Sequence, residues 1–276
     1  MAISETVELL GKGLYDTIPD TLTLKAIPTA SELEEVGNED FDKTMLESVL
    51  PQAVEEKIDF RDLLEIDFQW ICRCLRILNY GPYHTTNVIF CDKCGKSSYG
   101  EYVVNLKTIE CKPLPEGFVN DIEIKRDEFI DFDGDIHIKL PTIQQVLNSQ
   151  KDKAFMNSKG EVNRELSRIC YMISSVKGKD TLTPPEIKIL LQDQMSSADF
   201  LLLKGRVREL TDYGLRAGGS AQCPKCGNPD AGFLALVDDR FFRPSLGALR
   251  QWKLDRSSGE DENTSRSKTG TVRKHS

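Results

Sequence analysis

The 276 residues are enough for one large domain or two ordinary ones. A 39% hydrophobic and 29% charged composition is that of a globular chain, and no run of eighteen or more apolar residues offers a membrane-crossing helix. The net charge of −8 and pI of about 5.1 argue against nucleic acid as a partner, because binding phosphates requires a basic surface. The N-terminal MAISETVELLGKGLYD has neither the basic nor the apolar region of a secretory signal, so a cytoplasmic setting with reduced thiols is expected for the eight cysteines.

In chain order, Thr21–Ile27 alternates as a strand closed by Pro28. Ser31 with Glu34 three residues on predicts a short capped helix. A further helix is expected over Phe41–Leu50, ending before Pro51. The apolar residues Leu63, Leu64, Ile66, Trp70, Ile71, Cys74, Leu75 and Leu78 recur at helical spacing over 61–78, and Gly81-Pro82 stops that helix. Strands follow at Asn87–Phe90 and Tyr99–Leu106. Glu128–Phe132 and Asp135–Leu140 flank Asp133-Gly134, a hairpin signal, and Ile122–Lys125 adds a third strand. From Pro141 to Thr211 the pattern is helical: one helix over Val162–Val176, one opened by the Thr183-Pro-Pro-Glu186 capping box, and one capped at Ser197. A last strand covers Gly232–Val237. Residues 254–276 carry almost no large apolar side chains and read as a disordered tail.

Chemistry concentrates in two turns of one design, Cys91-Asp-Lys-Cys94-Gly95 and Cys223-Pro-Lys-Cys226-Gly227, each beside a strand. Two intervening residues let both sulfurs of a turn face one ion, the glycine lets the backbone fold under it, and tetrahedral zinc takes four thiolates. A lone CxxC is equally a redox motif; two CxxCG turns point to one shared structural zinc held by Cys91, Cys94, Cys223 and Cys226. Their separation far exceeds the 15–20 residues or so of an ordinary ribbon, so the ribbon must close around an insertion, with the metal pinning the insertion's ends.

Other candidates carry less. Cys72, Cys74 and Cys170 read as core thiols, and Cys111 as a free thiol with substitute ligation as the alternative. Asp131–Asp135 lacks the glycine position and distal glutamate of a calcium loop. His84 and His137 support no Ser/His/Asp grouping, and Gly11-Lys12-Gly13 lacks the rest of a phosphate loop. No catalytic constellation is found, so a non-enzymatic role is expected.

The segments LTLKAIPTASELEE, DLLEIDFQWICRCLRILNYGPYHTT and CDKCG, with IHIKLPTIQQVL at Ile136–Leu147, together resemble the baseplate hub and hub-assembly proteins of T-even-type contractile-tailed bacteriophages. The matching positions are Asp67, Leu75, Arg76, Tyr80, Gly81 and Tyr83, then Cys91 and Cys94; the match covers most of residues 1–150 and is looser beyond. The resemblance implies a tail component or an assembly factor working in the host cytoplasm, and retained in the tail baseplate if it stays in the virion. Its implied partners are other baseplate and tail proteins, among them the tape-measure protein, and further copies of the chain within the hub. Membrane is not an expected partner. Tyr83, Tyr99 and Tyr102 are candidate contact residues, with packing around the ribbon as the alternative.

The expected class is α+β: a split zinc ribbon interrupted by a β-hairpin and a helical insertion, after an N-terminal helical region. The expected segments are 1–86 (extended segment and helices), 87–110 (first ribbon half), 111–211 (insertion), 212–253 (second ribbon half and C-terminal helix) and 254–276 (tail). The alternative function is a nucleic-acid-binding zinc ribbon using Lys93, Lys96, Arg206, Arg208 and Lys225.

Overall fold

Strand-like and helical periodicities alternate along the sequence, and the computed structural model mixes both classes as expected. It describes residues 4–27, 41–235, 237, 239–242 and 244–266, with the backbone alone at 239, 240 and 257–266. The elements are β1 (Ser4–Glu8), β2 (Thr21–Lys25), α1 (Phe41–Thr44), a π-helical turn (Met45–Val49), α2 (Leu50–Ala53), α3 (Glu65–Tyr80), β3 (Tyr83–Cys91) and β4 (Lys96–Asn105). Then come β5 (Cys111–Lys112), β6 (Ile122–Ile124), β7 (Ile136–Ile138), α4 (Ile143–Lys151), α5 (Arg164–Met172), β8 (Ile173–Val176), α6 (Pro184–Gln194) and α7 (Ser197–Thr211). The chain finishes with β9 (Gly214–Leu215), β10 (Gly218–Ala221), β11 (Ala231–Leu234) and α8 (Leu246–Arg266). The expected Ser31 helix lies outside the described residues.

Two compact units result: Met1–Cys74 with Cys111–Arg216, and Leu75–Glu110 with Ala217–Ser276. The expected five segments therefore regroup. The N-terminal region and the insertion share one core, in which Leu64 and Ile66 pack with Ile124, Phe132, Ile136, Ile138, Phe155 and Leu203. Backbone bonds Glu65 N–H to Pro141 O (3.0 Å) and Ile143 N–H to Leu63 O (2.8 Å) join the starts of α3 and α4.

Within the first unit, β6, β7 and β8 form an antiparallel sheet. This corrects two expectations. Glu128–Phe132 is not a strand, and no Asp133-Gly134 hairpin forms. The wholly buried Asp199 carboxylate instead accepts the N–H groups of Ile130 (2.6 Å), Asp131 (3.1 Å) and Phe132 (3.0 Å), satisfying donors that a ladder would otherwise have used. The helix expected to reach Val176 stops at Met172, and Ile173–Val176 pairs with β7, a site suited to its β-branched ends. Pro51 does not end the preceding helix; it lies in the first turn of α2, directly after the π-helical turn Met45–Val49. The Thr183–Glu186 capping box forms as expected, Thr183 N–H reaching Glu186 Oε2 at 2.7 Å.

Two further contacts organise this unit. The buried Asp67 carboxylate accepts the N–H of Leu10 (2.5 Å), the N–H of Gly11 (3.2 Å) and the Tyr15 hydroxyl (2.5 Å), fastening the N-terminal loop to α3. Burial pushes this carboxyl above its usual range, against the opposing pull of those donors. The short β5–β9 ladder, Cys111 opposite Leu215 and Lys112 opposite Gly214, brings the two ends of the insertion together, reinforced by Lys112 Nζ on Asp212 at 2.7 Å.

The second unit is an antiparallel sheet in the order β10-β11-β3-β4, with α8 against β3. Gly81 ends α3 at φ +75° as expected, and a side chain there would strike the Trp252 ring. Arg76 is fully buried. Its Nε donates to Phe241 O (2.7 Å), one Nη to Gly81 O (2.8 Å) and the other to Tyr83 O (2.7 Å). Burial pushes the guanidinium pKa down to about 10. Where a disordered tail was expected over 254–276, α8 continues to Arg266, and 267–276 lie outside the described residues; adding turns to an existing helix costs far less than nucleating one.

Arg76→Met leaves three carbonyls without their donor and is expected to destabilise the chain by about 3–5 kcal/mol, read as a lower urea midpoint. Asp199→Asn is expected to lower Tm at neutral pH. Burial alone would raise the Asp199 pKa, but the three N–H groups and Ser196 hold it below 3.8. A depressed folded-state pKa gives stability that is present above 3.8 and lost as pH falls through the lower folded value. The Tm gap between the two chains should therefore close on acidification below 3.8, and a gap that stays constant across the titration counts against this role.

Candidate metal centre

β3 delivers Cys91 at its last residue, and the chain turns through Cys94 before returning as β4. In the second turn Gly227 N–H bonds Cys223 O (2.9 Å) and Cys223 N–H bonds Asn228 O (2.7 Å), so the loop closes on itself before β11. Gly95 and Gly227 both take left-handed φ, +62° and +72°, which a side chain would oppose. The two turns meet because β11 pairs with β3, Gly232 opposite Phe90 and Phe233 opposite Ile89. Ile89, Cys91, Cys223 and Ala231 then form a small buried core.

Four sulfurs converge there. The Sγ atoms of Cys91, Cys94, Cys223 and Cys226 all lie within 4.8 Å of one another. Cys91 and Cys226 are 3.6 Å apart, and Cys94 and Cys223 4.0 Å apart, although 129 residues separate the latter pair. Tetrahedral zinc–thiolate bonds of about 2.3 Å place sulfurs about 3.8 Å apart, so this donor set fits one such ion. All four cysteines are free thiols.

The electrostatics agree. The Cys94 N–H, then the Asn228 and neighbouring thiol donors, hold the Cys91 thiol down at about 6 in spite of its burial. Burial alone would raise Cys223, yet the Lys225 and Cys226 N–H groups hold it below the usual thiol value. Cys226 receives the Asn228 N–H, which favours its thiolate, but burial and the surrounding sulfurs push it up to about 11. Like charges crowd here, and a dication is the compensation that lets all four ionise together.

Asn228 gave no signal in the sequence beyond following CxxCG. Its Nδ2 reaches Cys91 Sγ of the other turn at 3.7 Å, its backbone N–H serves Cys226, and its carbonyl accepts from Cys223 N–H. One residue thereby touches both halves of the centre.

The other sequence candidates lie apart from it. Cys111 sits on β5 in the first unit, outside the four-sulfur group. Cys72, Cys74 and Cys170 are buried, and burial pushes the thiols of Cys74 and Cys170 up to about 12. Arg206 and Arg208 lie on α7 of the first unit, where Arg206 meets Glu128 at 3.3 Å and Glu209 at 2.7 Å; only Lys93, Lys96 and Lys225 of the expected basic patch share the second unit. His137 lies between Asp121 (3.4 Å) and Glu123 (3.9 Å). Among the described residues, no other group of His, Cys, Asp or Glu gathers closely enough to hold a metal, and no helix is long and apolar enough to cross a membrane.

Asn228→Ala should weaken metal affinity by about 10–100-fold, the usual effect of removing an outer-shell partner. Competition with a chromophoric chelator reads this directly, and unchanged affinity would show that the carboxamide is a bystander. Compared with protein-family models, curated proteins and solved structures, the chain matches none.

Proposed function

We propose that the chain is a non-enzymatic structural protein in which one zinc, bound by Cys91, Cys94, Cys223 and Cys226, closes a split zinc ribbon, and that it serves as a component or assembly factor of a phage tail baseplate hub. The convergence of four sulfurs from turns 129 residues apart supports the zinc-binding part of this reading. Four thiolates complete a tetrahedral ion and leave no position for a substrate, which suits a structural metal rather than a catalytic one.

The baseplate role rests on the sequence resemblance. The positions that carry it include residues with organising contacts: Asp67 gathers the N-terminal loop, Arg76 gathers three carbonyls, and Gly81 turns the chain out of α3. The chain's partners on this reading are the other tail and baseplate proteins, with further copies of the chain within the hub.

Elemental mass spectrometry of the purified chain should find one zinc, lost in Cys223→Ser/Cys226→Ser together with thermal stability. Gradient sedimentation of infected-cell lysates, probed for the chain, should find it travelling with baseplate intermediates or tails. Absence of zinc ends the ribbon reading. A chain that sediments alone throughout infection ends the baseplate reading and leaves the zinc result standing.

A further inference from the structure

Strand β1 of the first unit is paired along one side only. Its register with β2 sets Val7 opposite Leu22 and Glu5 opposite Leu24, and just beyond the strand Leu9 N–H donates to Asp20 O at 2.8 Å. Hydrogen-bonded pairs recur at every second residue of an antiparallel ladder. Val7 and Glu5 therefore bond toward β2, while Ser4, Thr6 and Glu8 aim their N–H and C=O groups the other way. β2 agrees: Thr23, opposite Thr6, sends its N–H to the Glu56 carboxylate at 2.9 Å, and its carbonyl accepts the Glu55 N–H at 3.1 Å, so neither group is spent on Thr6. Trp70 Nε1 takes up Glu8 O at 3.2 Å. Among the described residues, no strand or isolated bridge meets the rest of this edge.

The edge borders a groove of about 870 Å³. β1 and the residues just after it contribute one part of the lining; the loop Pro113–Phe118, with Trp70 and Cys74 of α3, contributes the rest. Pro113 and Pro115 have no N–H to offer a ladder, so this loop is poorly suited to complete the sheet itself. What remains is a slot beside five residues of half-paired strand, about 17 Å long.

Charge selects the occupant. The charged residues of the groove are Glu5, Glu8, Lys12 and Glu116. Lys12 is already held by Glu8 at 2.6 Å, which leaves the exposed Glu5 and Glu116 to a cation from outside. The β1 of a second copy would bring its own Glu5 and Glu8 against these carboxylates, and like charges across a strand pair are destabilising. Residues 28–40 of the chain carry five carboxylates and no Lys or Arg, so they are repelled as well. A nucleic acid meets the same objection through its phosphates.

We infer that this groove takes an extended, lysine- or arginine-bearing segment of another protein, which joins β1 as a third strand. The outward backbone groups of Ser4 and Thr6 and the Glu8 N–H hold its main chain, and Glu5 and Glu116 select its cations. Main-chain bonding of this kind supplies affinity, and the side chains along the edge supply specificity.

The test is fluorescence anisotropy of the full zinc-loaded chain with a labelled peptide of about nine residues. The peptide alternates threonine and valine with a lysine near each end; a twin carries glutamate in place of both lysines. The lysine peptide should bind, and the twin should bind roughly tenfold more weakly or not at all. Thr6→Pro removes one outward N–H without removing a bond between β1 and β2, and proline is accepted on such an edge. It should weaken the lysine peptide roughly tenfold while Tm stays the same. Glu5→Lys/Glu116→Lys, at two exposed positions, should reverse the preference in favour of the glutamate twin. No binding of the lysine peptide at low salt overturns the proposal, as does equal binding of the two peptides. Binding that survives both Thr6→Pro and the charge reversal also overturns it, by locating the contact elsewhere. Self-association of the chain that Thr6→Pro abolishes gives the groove to a second copy and overturns the reading of a different partner.

Discussion

The second unit exists only if two stretches of chain far apart in sequence meet at β3 and β11. Closing a flexible loop of 129 residues costs about 4 kcal/mol in chain entropy, and the meeting strands offer just two residue pairs and a small core in return. The first unit lightens this. Its β5–β9 ladder holds Cys111 opposite Leu215, so the insertion presents its two ends side by side. What remains open is the short passage from each end to its cysteine turn. A zinc–thiolate centre, which stabilises small zinc-binding peptides by about 10–16 kcal/mol, is more than sufficient for that remainder. A metal held by the four sulfurs would share the work of closure with the ladder.

Two buried charged groups on helix α3, Asp67 and Arg76, use no opposite charge as partner. Asp67 is met by backbone N–H groups and a phenol, Arg76 by three backbone carbonyls. A buried ion left without partners costs several kcal/mol, so each is tolerable only because the surrounding backbone is shaped to it. The converse also holds: the loop at Leu10–Gly11 and the exit at Gly81–Tyr83 are fixed because each must present its polar groups to one side chain. This gives a physical role to residues that in the sequence were visible only as part of a resemblance.

The sulfur centre was legible because its signal is local and repeated: two residues between cysteines, then glycine, then a strand. The helices at 65–80 and 184–194 were legible from apolar spacing and a capping box. The misreadings share one cause. Asp133-Gly134 has the chemistry of a hairpin, but a carboxylate some 67 residues later claims the backbone donors the hairpin needed. Ile173–Val176 continues a helical pattern, yet a free edge of β7 takes it as a strand. The β5–β9 ladder and the reach of Asn228 to Cys91 rest on single long-range contacts, and no periodicity announces those.

That discontinuity also sets a clock. The chain passes from one unit to the other at residues 74, 110 and 216, so neither unit is complete until most of the polypeptide has been made. At synthesis rates of about 5–20 residues per second, Cys223 follows Cys94 out of the ribosome after roughly 6–26 s. Throughout that interval Cys91 and Cys94 form a solitary dithiol at the end of a strand whose neighbour β11 has not been synthesised. Residues 217–234 complete the sulfur centre and supply two of the four strands of its sheet, so the second unit can close only after the whole insertion has been made.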